Sequence, residues 1–146
     1  MVTTHYHNIL QGLDVLIVED DSVSLDIMRA ILNHFGATVY TAENGKVALE
    51  KLQTLTPSFI ISDINMPVMD GWQLIMNLKK DRRLASIPAV GLTAQALPHH
   101  PQQADKLGFH AFLIKPLRIE TFSQQLINAL RSIPAVAERL NDNATI

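Results

Sequence analysis

Residues 59–72, FIISDINMPVMDGW, hold the stretch that decides the fold: an apolar run, a serine, and then Asp63. The run is too short for a helix, is rich in β-branched and aromatic residues, and lacks polar alternation. It therefore reads as a strand buried on both faces of a sheet. Residues 15–21, VLIVEDD, repeat the pattern, an apolar run closed by carboxylates. Short runs at Ala37–Tyr40, Ala89–Leu92 and Ala111–Ile114 read as further strands. Between these, Leu25, Met28, Leu32 and Phe35 recur at helical spacing. So do Ala48, Leu52 and Leu55, then Ile75 and Leu78, and finally Phe122, Leu126 and Leu130. Gly36 and Pro57 stop the first two helices, and Gly108 closes a fourth helical segment that Pro98 and Pro101 shorten to about residues 101–107.

Strands alternating with helices need right-handed helical crossovers between parallel neighbours. The expected class is α/β, a doubly wound, five-stranded parallel sheet with helices on both faces. The 146 residues leave room for one domain. Residues 1–12, polar apart from Ile9 and Leu10, are expected to form a flexible arm, residues 13–132 the domain, and 133–146 a tail with one or two helical turns. That tail is too short for a DNA-binding domain. The chain starts at Met1 without a tag, so a natural start is expected.

Composition narrows the function. With 47% hydrophobic and 18% charged residues a buried core is expected rather than disorder. The 12 Lys+Arg against 14 Asp+Glu are too balanced for binding nucleic acid through a basic surface. The absence of cysteine excludes a disulfide scaffold and a thiolate site. Neither a signal peptide nor an apolar run long enough to span a membrane is present, so a cytoplasmic setting is expected.

In a sheet of this class the ligand site lies beyond the carboxyl ends of the strands. Glu19, Asp20 and Asp21 follow the first strand, Asp63 and Asn65 the third, Thr93 and Ala94 the fourth, and Lys115 with Pro116 the fifth. Asp21 is expected to cap a helix. That role does not suit Asp63, where a carboxylate ends a buried run and needs neutralising. If the first and third strands are neighbours, Asp20 and Asp63 approach closely, and like charges ~4 Å apart repel by ~4 kcal/mol at an effective dielectric of about 20. All-oxygen ligands of this kind suit Mg²⁺. Lys115 is either a solvated surface lysine or, beside an acidic cleft, a point charge for an anion.

The runs VLIVEDDS and IISDINMPVMDGW, the tripeptide LTA and the pair KP, in this order and spacing, resemble the receiver domain of two-component response regulators. The resemblance spans about residues 13–132. It implies a flavodoxin-like sheet of order 2-1-3-4-5. It also implies a phosphoacceptor at Asp63, served by a sensor histidine kinase or a phosphotransfer protein. By the same resemblance Glu19, Asp20, Asp63 and the backbone carbonyl of Asn65 hold Mg²⁺, with Mn²⁺ as a substitute. Thr93, the Ala94 amide and Lys115 bind the phosphoryl group, Thr93 and Phe112 form a switch, and the Lys115–Pro116 bond is cis. Asn65 and Gln95 occupy positions that influence hydrolysis of the acyl phosphate. The output implied is binding of a downstream effector, or of a second copy of the chain, through the face made by the fourth helical segment, the fifth strand and the helix after it.

Such a protein is a phosphoacceptor rather than an enzyme, and interacts with neither nucleic acid nor membrane. Four rivals remain. A receiver-fold interaction module that phosphate does not switch is disfavoured because Asp63, Thr93 and Lys115 are all present. A phosphatase of the haloacid dehalogenase kind wants a second Asp where Asn65 stands, and a flavin carrier would meet an acidic first loop. The chain is otherwise a receiver excised from a larger hybrid kinase or regulator. Trp72 is expected to pack or to line a rim, Met66 and Met69 to shape their loop, and Asp70 to cap a helix. His99 and His100, adjacent and so on different helical faces, are not expected to bind metal, and neither are His5 and His7.

Overall fold

The computed structural model describes residues 7–94 and 108–144. In chain order these form β1 (Asp14–Val18), α1 (Ser22–His34), β2 (Thr38–Ala42), α2 (Gly45–Lys51), β3 (Phe59–Asp63), α3 (Gly71–Lys79), β4 (Ala89–Thr93), β5 (Ala111–Ile114), α4 (Ile119–Arg131) and α5 (Pro134–Ala144). The five strands pair in parallel in the order β2-β1-β3-β4-β5. The helical segment expected at 101–107, with Gln95, His99 and His100, lies outside the described residues, as does His5.

The period of two along each strand divides the core. Val15, Ile17, Phe59, Ile61, Val90 and Leu92 turn toward α1 and α4. Leu16, Val18, Ile60 and Ala89 turn toward α2 and α3. Residues of β1, β3 and β4 are thus buried from both sides, which is why their runs show no polar alternation.

Three helices start on side-chain caps. Asp21 accepts the Ser24 amide at 3.0 Å and Asn44 the Val47 amide at 2.9 Å. Asp70 and Gln73 form a reciprocal box, with amide contacts of 2.9 and 3.1 Å. The caps expected at Asp21 and Asp70 are present, and Gly36 follows α1 at φ +93°.

Four local expectations need correcting. The second strand runs from Thr38 to Ala42 rather than 37–40, because its partner is β1, whose Val18 sits opposite Ala42. The second helix ends at Lys51 instead of reaching Leu55. Beyond Lys51 the chain tightens into turns, with Gln53 N bonding Glu50 O and Thr54 N bonding Lys51 O, and Arg83 reaches across to bond the carbonyls of Leu52 and Leu55 and the Thr56 hydroxyl.

The flexible arm expected over 1–12 does not describe residues 7–12. Ile9 and Leu10 are buried in the α1 and α4 core, and the Leu10 amide bonds the Phe35 carbonyl at 2.8 Å. The segment is held from the other end of the chain. Asn143 donates to the carbonyls of Ile9 and Gln11 at 2.8 and 3.1 Å, and Arg139 to that of Gly12 at 3.3 Å. The tail is thus an 11-residue helix rather than one or two turns, and its Val136 and Leu140 join the same core. Leu140→Ala is expected to lower the unfolding free energy by about 2–5 kcal/mol in a urea titration. A change below ~0.5 kcal/mol would mean that α5 is not part of the folded core.

Candidate functional site

Parallel strands bring their carboxyl ends to one edge, and the ladder continues one residue beyond them. Glu19 N bonds Ala42 O at 3.0 Å, Ile64 N bonds Leu92 O at 3.0 Å, and Lys115 N bonds Thr93 O at 2.8 Å. The ladder thus brings Glu19, Asp63, Thr93 and Lys115 to one edge of the sheet, with Asp63 opposite Leu92 and Thr93 opposite Ile114. Glu19, Asp63 and Thr93 are buried, whereas Asp20 is exposed at the rim.

One carboxylate oxygen from each of Glu19, Asp20 and Asp63 lies within 4.8 Å of the others. Lys115 Nζ stands 2.6 Å from Glu19 Oε1 and 3.1 Å from Asp63 Oδ2, so one ammonium serves two buried carboxylates. Apart from this ion pair, Oε1 has no polar partner among the described residues. Glu19 Oε2 accepts the Asp21 amide at 3.2 Å, and Asp63 Oδ1 accepts the Asn65 amide at 3.3 Å.

The electrostatics follow from burial. Loss of hydration raises the Glu19 carboxyl to about 7; the Lys115 ammonium opposes this, and Asp63 adds to it by hydrogen bond and charge. Burial alone would lower the Lys115 ammonium, but its bonds and charge contacts with Glu19 and Asp63 outweigh that, and its pKa rises. Lys115 therefore stays charged. An extra cation is the natural complement of this pocket, because three carboxylates face one ammonium.

The expected residues Glu19, Asp20, Asp63 and Lys115 are brought together, Thr93 ends the adjacent strand and Ala94 follows it. The Lys115–Pro116 bond is cis. Phe112 is partly buried. Its ring spans Gly91, where an added Cβ would sit 2.8 and 2.9 Å from the ring carbons. Phe109 and Trp72 flank it at centroid distances of 5.3 and 6.2 Å, so Trp72 packs.

Two glycines have roles that sequence alone did not reveal. Gly91 is one, and its mid-strand position is the signal, since glycine inside a strand marks a close approach. Gly71 is the other: a Cβ there would lie 2.5 Å from the Asp63 carbonyl oxygen, so only glycine lets α3 begin against the strand that ends in Asp63. Among the described residues, no helix is long and apolar enough to cross a membrane.

The family model described as the response regulator receiver domain matches residues 15–127. An uncharacterized 14.6 kDa protein from Leptolyngbya boryana is 38% identical over 108 residues, which are 74% of this chain and 82% of that protein. Histidine kinase P4 of Formosa agariphila is 33% identical over 118 residues, covering 81% of this chain but only 8% of the kinase. Among solved structures, the chemotaxis protein CheY4 of Vibrio cholerae is similar at a TM-score of 0.72 and 31% identity, over 81% of this chain and 98% of that one.

Proposed function

The chain belongs to the response regulator receiver family, and on that premise we propose that it accepts a phosphoryl group on Asp63 and signals by the change in protein binding that follows. The observation that carries this reading is the pairing of one partly buried ammonium, Lys115, with two buried carboxylates at the edge where Thr93 also ends its strand.

The donor is a phosphohistidine on a sensor histidine kinase or a phosphotransfer protein. An Asp63 carboxylate oxygen attacks phosphorus in line, the new O–P bond forms as the P–N bond breaks, and the imidazole departs with the electron pair. The donor side chain belongs to the partner, so the chain supplies half of an active site and is not itself an enzyme. Lys115 moves from sharing two carboxylates to neutralising a phosphoryl oxygen. The Thr93 hydroxyl and the Ala94 amide donate hydrogen bonds to the others. Glu19, Asp20, Asp63 and the Asn65 carbonyl would hold Mg²⁺, or Mn²⁺ in its place, and the bound ion supplies positive charge to the carboxylates and the phosphoryl oxygens.

Output passes through β5 and α4, toward an effector or a second copy of the chain. Ile114 offers that face an exposed apolar side chain. Thr93 stands two residues beyond Gly91 on β4, so movement of its hydroxyl toward phosphate is felt at the slot that holds Phe112. The proposed setting is the cytoplasm.

Asp63→Asn tests the reading. Labelling by acetyl phosphate is expected to fall to background in this variant and to persist in Asp21→Asn, whose carboxylate serves as a helix cap. Undiminished labelling of Asp63→Asn would leave the chain as an interaction module that phosphate does not switch through this residue.

A further inference from the structure

The loop from Ile64 to Asp70 carries a backbone conformation that its sequence does not favour. Val68 has φ +72°, and the Met69 amide bonds the Pro67 carbonyl at 2.8 Å across it. That combination is a γ-turn of the rare, strained kind, here centred on a β-branched residue. Val68 is 76% exposed, so its own packing does not offset the strain. Such a turn persists only where its surroundings hold it.

The hold comes at both ends. The Gly71 amide bonds the Ile64 carbonyl at 2.8 Å and closes the loop at its base. At the far end the Gly45 amide, the first of α2, donates to the Met69 carbonyl at 3.3 Å. A Cβ at Gly45 would lie 2.8 Å from Met69 Cγ and 2.9 Å from the Met69 carbonyl oxygen, well inside van der Waals contact. The backbone oxygen cannot swing aside as a side-chain end could. Gly45 thus gives Met69 a seat that no other residue leaves open, and Met69 anchors the turn on the distal side of Asn65.

We propose that Gly45 is a positioning residue for the cation pocket: by seating Met69 it holds the strained turn at Val68 and, through it, the Asn65 backbone. The inference rests on the reading that the pocket takes Mg²⁺. Helix propensity makes the opposite prediction, because alanine favours α2 more than glycine does. A loss caused by Gly45→Ala must therefore come from the displaced Met69.

Mg²⁺ titration calorimetry on the whole chain, with thermal unfolding in EDTA alongside, tests this. Gly45→Ala is expected to weaken Mg²⁺ binding about tenfold, with an unfolding midpoint in EDTA close to that of the wild type. Met69→Ala leaves α2 intact while removing the anchor side chain, and is expected to weaken binding in the same direction; it decides the matter should Gly45→Ala fail to fold. Wild-type affinity in Met69→Ala and in a folded Gly45→Ala overturns the proposal while leaving the phosphoacceptor reading intact. Weaker binding that merely tracks a loss of stability assigns both residues to folding alone and also overturns it. A wild-type chain that binds no Mg²⁺ removes the reading on which the proposal stands.

Discussion

Chelation of divalent cations should cut the labelling of Asp63 by acetyl phosphate by about a hundredfold or more. Three carboxylates have oxygens within 4.8 Å of one another. At that separation two full charges repel by about 3 kcal/mol at an effective dielectric of about 20, before an anionic donor arrives. The nearby cation, Lys115, is already divided between Glu19 and Asp63. Without a further positive charge the nucleophile is shielded from its donor by like charge. The check is the initial rate of labelling in excess EDTA against saturating Mg²⁺. Equal rates would mean that the carboxylates are not a cation site.

Lys115→Met should be nearly as severe. Removing one donor aimed at developing charge typically costs about a hundredfold to a thousandfold in rate, and this ammonium is the only described one in contact with Asp63. The fold should survive below neutral pH. Burial has already raised the Glu19 carboxyl to about 7, so loss of the ammonium can be met by a proton on Glu19. The sign follows from that proton. A carboxyl raised on folding favours the folded state where it is protonated, and that advantage is lost as pH climbs from the ordinary glutamate range through the folded value. In the variant, without Lys115 to oppose the shift, the folded value lies higher. Metal-free Lys115→Met should therefore fall further behind the wild type as pH rises above about 7. Urea titrations at several pH values in EDTA, paired with labelling rates in Mg²⁺, measure both effects. A variant labelled at the wild-type rate would remove Lys115 from the phosphoryl site.

The site carboxylates were legible because charge at the end of an apolar run has few uses, and Asp63 after FIIS and Glu19 after VLIV are both of that kind. Sheet order came from the resemblance, since alternation of strands and helices gives the class without the neighbours. β2 was misplaced by its polarity: as an edge strand it reads TVYTA, so the apolar count stops short of its end. Ile9 and Leu10 looked like stray apolar residues in a polar arm. Their burial depends on Val136 and Leu140, which meet them only once α5 folds back. The slot for Phe112 and the seat for Met69 are of the same nature. Each pairs a glycine with a bulky residue distant in sequence, Gly91 with Phe112 and Gly45 with Met69, and only the register of neighbouring elements brings them together.

The most direct test of the central claim is to locate the phosphoryl group. The chain is incubated with acetyl phosphate and Mg²⁺, the acyl phosphate is trapped by borohydride reduction, and the modified residue is identified by peptide mass spectrometry. The predicted result is a single modified residue, Asp63, with none in a parallel sample kept in EDTA. Modification at Asp20, Asp21 or a histidine instead, or an unmodified Asp63 under conditions that label the chain, would contradict the account.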